Sequence, residues 1–315
     1  MEKPFLTIDQ QVVLLESRGV KTSESTGSRL LRDGYYAIVN GYKNPFIDDK
    51  ATALAGDDRY VDGTTFDSLY ALFCFDRELR ALTFRYLIKA EATARTAISY
   101  CFSREHQNID DYLLQTNYCS KEEFESYGKS NEEYAGELSG LTSLLRRRQK
   151  NSTSAFTAHY RTKYGFVPLW VLVNDLTFGN LEHFFNLMKP AEQKAVCKAI
   201  AESTGRLGDK SLGYFGADKA RICLEVLVKF RNICAHDERL YCARVGGRKD
   251  VDYGKMVWML ERFLTQREFF TFLDSLLLLL EKEQRESTAI GHVLNGLGFK
   301  ELATEIERRF GERQR

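Results

Sequence analysis

Mostly apolar residues recur every three or four positions between 66 and 101, which is the pattern of one apolar face of an α-helix. The members of this stripe are Phe75, Leu79, Leu82, Tyr86, Ala90, Thr93 and Ala97. The opposite side carries Phe84, Ile88, Glu91 and Arg95. Because a helix that is apolar on two sides has to be covered on both, we expect it to lie between other helices and not at the surface.

Shorter helices are predicted on both sides of this long one. Residues 7–18 have the pattern of a helix that begins at Thr7 and ends at Gly19. Further helices are predicted over 23–33, 191–203 and 217–236, with two or three more within 255–310.

The remaining stretches are less regular. Residues 34–47, "DGYYAIVNGYKNPF", favour a turn-rich, partly extended segment, and a loop is predicted over 48–63. Residues 103–165 are polar and predict short helices joined by loops. No stretch predicts a convincing sheet, so the predicted fold class is all-α.

The charges of the chain nearly cancel. Lys plus Arg total 45 and Asp plus Glu total 44, so the net charge is +1 and any nucleic-acid surface has to come from local clustering. The densest cluster, "LLRRRQKN", holds Arg146, Arg147, Arg148 and Lys150 and could bind RNA phosphates. The alternative is that this run is a solvated helix face.

The seven cysteines are scattered and contain no C-x-x-C pair, so no zinc site is predicted. We predict no other cofactor. Several of the cysteines lie in apolar surroundings such as "LFCF", which is typical of buried thiols in a reducing cytoplasm. We find no signal peptide, and the longest apolar run, "LLLLL" at 276–280, is too short to cross a bilayer. We therefore expect a cytoplasmic protein without membrane contact.

The helix predicted over 217–236 ends in a group of polar residues, within "KFRNICAHDERLY". On a helical wheel, Arg231 lies on one side of the apolar face and His236 on the other. Asn232 is four residues before His236 and shares its side of the helix. These three side chains thus avoid the core but lie next to it, where they could face one groove.

The spacing between arginine and histidine is not informative by itself. Roughly one such match is expected by chance in a chain of this composition, and a second one, Arg285 to His292, is present. Gly291 is expected to interrupt the helix at that second match. The helical context therefore favours the pair at 231 and 236.

A groove with these residues could cleave RNA without a metal ion. The ribose 2′-hydroxyl attacks the adjacent phosphate once a base removes its proton, and the leaving 5′-oxygen has to be protonated. His236 suits either step because imidazole titrates near neutrality, and Arg231 suits the charge that develops on phosphorus. Asn232 could orient the histidine or bind phosphate, and a dimer mate could supply a second histidine. The alternative is that the polar side chains only solvate the helix end and complement its dipole.

Glu91 and Arg95 are a further candidate pair on the long helix. An unpaired carboxylate on a covered face is costly, so we expect Glu91 to pair with Arg95, with Arg231 or with both. The simpler interpretation is a helical ion pair between residues four apart.

Several blocks of the chain resemble a known family. "RNICAHDERLY" is similar to the HEPN signature, in which an arginine, a polar residue and a histidine close a bundle helix. The blocks that resemble the AbiD/AbiF-like abortive-infection family of bacteria, in the family's order, are "LTIDQQVVLLESRGV", "LLRDGYYAIVNGYKNPF", "FDRELRALTFRYLIKAEATARTAISY", "PLWVLVNDLTFGNL" and "GFKELATEIE". The family usually has a second histidine where this chain has Asp237, and often a proline where it has Lys300.

The resemblance implies a bacterial anti-phage protein with a HEPN-like helical bundle. We expect an N-terminal helical extension at 1–62, the bundle at 63–245 and C-terminal helices packed on it at 246–315. The polar stretch at 103–165 would be an insertion in the bundle, where the resemblance is weak.

HEPN toxins are generally metal-independent endoribonucleases that pair two motifs across a homodimer. Carried over by position, Arg231 and His236 are the catalytic pair and Asn232 is their polar companion, with Glu91, Arg95 and Arg239 as supporting residues. The implied partners are RNA, as substrate and as a regulator, an antitoxin and a second copy of the chain. The alternative is a non-catalytic HEPN module that binds RNA or protein as a sensor.

Overall fold

The computed structural model describes residues 4–128, 130–246, 250–286 and 288–313. Over these residues helices are the only regular secondary structure, apart from isolated β-bridges, so the predicted all-α class is confirmed. The α-helices are α1 (Ile8–Ser17), α2 (Thr26–Asp33), α3 (Asp49–Ala55), α4 (Phe66–Glu105), α5 (Lys121–Ser126), α6 (Asn131–Asn151), α7 (Ala155–Tyr164), α8 (Leu169–Leu172), α9 (Phe178–Leu187), α10 (Pro190–Ser203), α11 (Ala217–Ala235), α12 (Tyr253–Leu260), α13 (Gln266–Glu286), α14 (Thr288–Gly296) and α15 (Phe299–Arg313).

The chain forms two compact units. The first unit comprises Met1–Leu82, Asp237–Ala243 and Leu273–Arg315, and the second comprises Thr83–His236 and Arg244–Phe272. The helices α4 and α13 each contribute residues to both units. These units do not follow the limits expected at residues 62 and 245, and the domain organisation implied by the resemblance stays a prediction.

The first helix begins and ends where the sequence predicts. The Thr7 hydroxyl accepts a hydrogen bond from the Gln10 amide at 3.4 Å, and Gln10 Oε1 accepts one from the Thr7 amide at 2.9 Å. Gly19 then takes a φ of 96°, which glycine adopts without steric cost. Local capping chemistry therefore sets both limits of α1.

Residues 34–47, predicted to be turn-rich and partly extended, are largely helical, and that prediction is wrong in part. A π-helical turn covers Tyr36–Asn40 and a 3-10 turn covers Asn44–Phe46. The π-helical turn places Ile38 and Val39 in the core of the first unit, where each is 0% exposed. Burial of the two apolar side chains outweighs the turn tendency of the flanking glycines.

Two other regions, 48–63 and 255–310, contain more helix than the sequence predicts. The helix α3 occupies part of the loop predicted over 48–63, and the Asp48 carboxylate caps it by accepting from the Lys50 and Ala51 amides at 3.0 Å each. Residues 255–310, predicted to hold two or three helices, contain most of the four helices α12 to α15.

Residues 103–165 of the second unit contain short helices as predicted, α5 and α7, but the middle of this stretch forms one long helix, α6. It is 21 residues long, and its buried side consists of Leu138, Leu141, Thr142 and Leu145. Only these few side chains of a polar stretch face the core. The helical period is therefore weak in the sequence although the helix is long.

The helix α4 is four residues longer than predicted and is not fully covered. Phe75, Leu79 and Tyr86 of the predicted stripe are buried. Ile88, expected to be covered, is 44% exposed, and Tyr100 near the helix end is 59% exposed. The expectation of a fully enclosed helix is therefore wrong, because α4 keeps a narrow strip of side chains in solvent.

The second unit is organised around α11, which packs against α9, α10 and α12. The helix buries Leu227 and Phe230, which are both 0% exposed. Ala90 and Ala94 of α4 are equally buried, and their small side chains allow close packing between helices. The end of α11 is consequently fixed by a packed core.

Candidate functional site

The candidate motif lies at the C-terminal end of α11. The helix ends at Ala235, and the His236 amide donates to the Asn232 carbonyl oxygen at 2.9 Å. Asp237 then takes a φ of 57°, in the left-handed region that Asp, Asn and His enter more often than other non-glycine residues. The chain therefore leaves the helix directly after His236.

Arg231 is held by the carboxylate of Glu91 on α4. Arg231 Nε donates to Glu91 Oε2 at 3.2 Å, and Arg95 Nη2 donates to Glu91 Oε1 at 2.5 Å. The Glu91 side chain is only 8% exposed, so each arginine offsets the cost of burying its charge. The prediction that Glu91 pairs with Arg95, with Arg231 or with both is confirmed, while a role in a reaction stays a prediction.

Asn232 extends this network to the surface. Its exposed side chain accepts a hydrogen bond from Arg231 Nη1 at 3.4 Å. The guanidinium of Arg231 is thus held between a buried carboxylate and an exposed amide. Its Nη2 donates to none of the residues that the structure describes, and can therefore donate to an acceptor from outside.

The imidazole of His236 is exposed and makes no hydrogen bond to a described residue. It lies one helical turn beyond Asn232, so it belongs to the same end of α11 without being part of the bonded network. The structure therefore joins Arg231, Asn232, Glu91 and Arg95 by hydrogen bonds. His236 is open to a reactant or to a second chain.

Arg239, a predicted supporting residue, does not belong to this network. It lies in the first unit, where its Nη1 donates to the Gly41 carbonyl oxygen at 3.0 Å. This contact joins the segment after the motif to the backbone at Gly41, within the first unit.

The segment after the motif is anchored in the first unit by a network that the sequence reasoning missed. Asp76 accepts a hydrogen bond from the Tyr42 hydroxyl at 2.7 Å and another from the Tyr241 amide at 2.7 Å. Arg80 donates to Asp76 Oδ2 through Nη1 at 2.5 Å and to Asp237 Oδ1 through Nη2, also at 2.5 Å. Asp237 is thereby tied to the core of its unit.

Burial dominates the electrostatics of this anchor. It raises the pKa of the Asp76 carboxyl, against the hydrogen bond from Tyr42 and the charge of Arg80. Burial and the neighbouring Asp76 charge also raise the pKa of Tyr42. The sequence signal that could have revealed the anchor is the Asp–Arg pair four residues apart in "FCFDRELR".

The basic run lies on α6, and its four cations do not share one surface. Arg146, Arg147 and Lys150 are exposed. Arg148 is half-buried, and its Nε is shielded from solvent without a hydrogen-bond partner among the described residues. Two residues apart on a helix is about 200°, so Arg148 faces away from Arg146. The surface cluster is therefore formed by three cations.

The sequence was compared with models of protein families, with curated proteins and with solved structures. The model for Abi-like proteins matches residues 28–242. The chain belongs to the Abi-like protein family. No curated protein and no solved structure matched it.

The match to the Abi-like family covers the whole candidate site. It includes the Arg231 network, His236 and the basic run on α6. It also includes Asp76, Arg80 and Asp237, which anchor the segment after the motif. These features therefore lie in the part of the chain that the family model describes.

The described residues contain neither a helix that could span a membrane nor a cluster of metal ligands. None of the helices described is long and apolar enough to cross a membrane. The described residues also include no group of three or more His, Cys, Asp or Glu side chains arranged to hold a metal ion.

Proposed function

We propose that this Abi-like protein acts in bacterial abortive infection as a metal-independent endoribonuclease of the HEPN type, of the AbiD/AbiF-like kind, in the cytoplasm. Family membership supports the anti-phage role. The bond from Arg231 Nε to the buried Glu91 carboxylate is the observation that carries the nuclease proposal. It fixes a cation within the last two turns of α11, whose end carries the exposed His236.

The reaction uses the ribose of the RNA as its nucleophile. His236 removes the proton of a 2′-hydroxyl, the 2′-oxygen attacks the adjacent phosphorus, and the bond from phosphorus to the 5′-oxygen breaks. An acid protonates the leaving 5′-oxygen, which gives a 2′,3′-cyclic phosphate and a 5′-hydroxyl end. The unbonded N–H groups of Arg231 stabilise the negative charge that grows on the phosphoryl oxygens.

The need for both a base and an acid favours a homodimer. The motif has one imidazole per chain, because Asp237 stands where the resembling family usually has a second histidine. If two motifs face each other, one His236 serves as base while the other serves as acid. The exposure of His236 is compatible with such pairing.

The exposed cations of α6 are proposed to hold RNA away from the reacting phosphate. Arg146, Arg147 and Lys150 can each neutralise one phosphate of a substrate or of a regulatory RNA. A toxin of this kind also needs restraint in healthy cells, so an antitoxin is the proposed further partner.

A second function, the binding of RNA or protein without catalysis, is favoured by a feature of the same network. Arg231 commits Nε to a buried carboxylate, as an arginine that stabilises packing does. With a single imidazole in the motif, the site could then serve as a sensor surface. The two functions differ in one observable, the appearance of new RNA ends.

The experiment is an incubation of purified protein with cellular RNA in the presence of a chelator, followed by mapping of the ends. We expect wild type to produce 2′,3′-cyclic phosphate ends, and His236→Ala to lower the rate by roughly 10²- to 10⁴-fold while remaining folded. Arg231→Ala should be similarly impaired. A folded His236→Ala variant with the full rate would overturn the nuclease proposal, and RNA binding without cleavage by wild type would favour the sensor.

A further inference from the structure

A cavity of about 480 Å³ opens beside Arg95 in the second unit. Its volume is within the range of sites that hold small ligands. It is lined by the C-terminal half of α4 and by residues at and after α8, among them Arg95, Tyr100, Ser103, Arg104, Trp170 and Asn174. We call this cavity the aromatic pocket.

Two large aromatic side chains of the aromatic pocket are left exposed. Trp170 is 58% exposed and Tyr100 is 59% exposed. The backbone at Trp170 is anchored, because its neighbours Leu169 and Val171 on the short helix α8 are buried. Exposed aromatic rings in a concave site are suited to stacking against a flat ligand.

The polar lining of the aromatic pocket favours an anionic ligand. Arg95 and Arg104 contribute two guanidinium groups, which also pair with Glu91 and Glu105 outside the lining, and none of the lining residues is acidic. Serine hydroxyls and the side-chain amides of Gln107 and Asn174 add groups that can donate and accept hydrogen bonds. Flat rings, arginines and amides together match the groups that bind an unpaired nucleotide.

The aromatic pocket is connected to the motif through Arg95. The Nη2 of Arg95 donates to Glu91 Oε1 at 2.5 Å, and the other oxygen of Glu91 accepts from Arg231 Nε at 3.2 Å. The Nε of Arg95 has no hydrogen-bond partner among the described residues, so its bonding capacity is incomplete. One carboxylate therefore bridges the wall of the pocket and the arginine proposed to stabilise the phosphate.

We propose that the aromatic pocket binds an unpaired base of the substrate RNA, stacked on Trp170 or Tyr100, with Arg95 and Arg104 near its phosphate. This inference rests on the proposed function, since it takes RNA as the substrate. It adds a specificity device: a base can enter only when it is not paired and stacked in a duplex. Trp170 and Tyr100 are then positioning residues that select single-stranded or looped RNA beside the motif.

The test uses the fluorescence of Trp170, which is one of two tryptophans in the chain. The full-length variant that carries Trp258→Phe and His236→Ala keeps Trp170 as its single tryptophan and is not expected to cleave. It is titrated with a single-stranded RNA of about ten nucleotides and, separately, with the same sequence as a blunt duplex. We expect the single strand to quench Trp170 emission and the duplex to leave it unchanged.

Affinity measurements in the His236→Ala background complete the test. Trp170→Ala should weaken binding of the single strand about tenfold, whereas Trp170→Phe, which keeps a ring, should retain most of the affinity. The matched control is Phe156→Ala, since Phe156 is 68% exposed on α7 and does not line the aromatic pocket. It should bind like its parent.

The outcomes separate this inference from the proposed function. If RNA binds while Trp170 emission and the affinity of Trp170→Ala stay unchanged, the pocket inference is overturned and the nuclease proposal stands. If RNA quenches Trp170 and wild type does not cleave, the pocket is supported and the nuclease proposal fails. If no RNA binds, both are overturned. Should Trp258→Phe fail to fold, the difference in quenching between His236→Ala and His236→Ala with Trp170→Phe supplies the same readout.

Discussion

Arg231 donates a hydrogen bond through Nε to the buried carboxylate of Glu91, 140 residues earlier in the chain, at 3.2 Å. Arg95 bonds the other oxygen of the same carboxylate. Removing the charge at the centre of such a triad leaves two guanidinium groups without their counter-ion. Glu91 is therefore expected to control both the stability of the second unit and the placement of Arg231.

The first prediction is that Glu91→Gln, which keeps the shape and removes the charge, lowers the free energy of unfolding by about 2 kcal/mol. The loss is smaller than for a fully buried pair because both arginines keep some contact with solvent. Urea unfolding followed by circular dichroism measures it. The matched control is Glu105→Gln, which removes an exposed partner of Arg104 from the same helix and should leave the midpoint unchanged. Equal midpoints for Glu91→Gln and wild type would show that the triad is not stabilising.

The second prediction concerns growth arrest in a bacterial host. If overexpression arrests growth, His236→Ala should abolish the arrest, because the proposed reaction needs an imidazole at the end of α11. His292→Ala is the control: His292 is also exposed and belongs to the other arginine–histidine match in the sequence. It should remain as toxic as wild type. A soluble, folded His236→Ala protein that still arrests growth would remove His236 from the mechanism.

Much of the fold follows from local chemistry in the sequence. The limits of α1 follow from the Thr7 capping box and Gly19, and α4 follows from its apolar period. The helical turns at 34–47 could not be predicted in this way, because the packing that buries Ile38 and Val39 exists only in the folded core. Tertiary contact overrides local turn preference there.

The candidate site was likewise predictable only in part from the sequence. The position of Glu91 on a covered face and the cost of a buried charge predicted that it pairs with Arg95, with Arg231 or with both. Both pairs are present, within the second unit. Neither consideration could show that Tyr100 and Trp170 line one cavity, since 70 residues separate them and only the packed fold brings them together. The split of the basic run between exposed cations and the half-buried Arg148 likewise depends on what packs against α6.

The third prediction is that the active protein is a homodimer or larger. A single imidazole per motif cannot hold and release a proton at once, so the acid should come from a second chain. Light scattering at micromolar concentration should give a mass of at least about twice the 36.3 kDa of the chain. Activity per chain should also fall on dilution. A monomer that retains full activity on dilution contradicts this prediction.

The fourth prediction separates the cations of α6. Replacing Arg146, Arg147 and Lys150 by Gln should weaken RNA binding and reduce its logarithmic salt slope by about 2, because each lost contact with a phosphate of single-stranded RNA removes roughly 0.7. Arg148→Gln, on the other side of the same helix, should leave the salt slope unchanged. Filter binding at several salt concentrations measures both. If the triple variant keeps the slope of wild type, the three residues form only a solvated surface.

The fifth prediction concerns Asp237, which stands where the resembling family usually has a second histidine. Its φ of 57° is one that histidine and asparagine adopt more readily than most residues, so Asp237→His and Asp237→Asn should both keep the turn. Each loses the negative charge that pairs with Arg80, and this ion pair is worth less than about 1 kcal/mol because the Asp237 side chain is 78% exposed. Thermal unfolding should therefore place both variants slightly below wild type.

The two variants should differ in the rate of RNA cleavage. Asp237→His supplies the motif with a second imidazole, which can act as the acid when His236 acts as the base, so the cleavage rate should rise above that of wild type. Asp237→Asn removes the same charge without adding an imidazole, and its rate should stay near that of wild type. Single-turnover cleavage of a labelled RNA distinguishes them. If both variants cleave at the same rate, a second imidazole at this position does not limit the reaction, and the departure of this chain at Asp237 serves the turn and its anchor to Arg80.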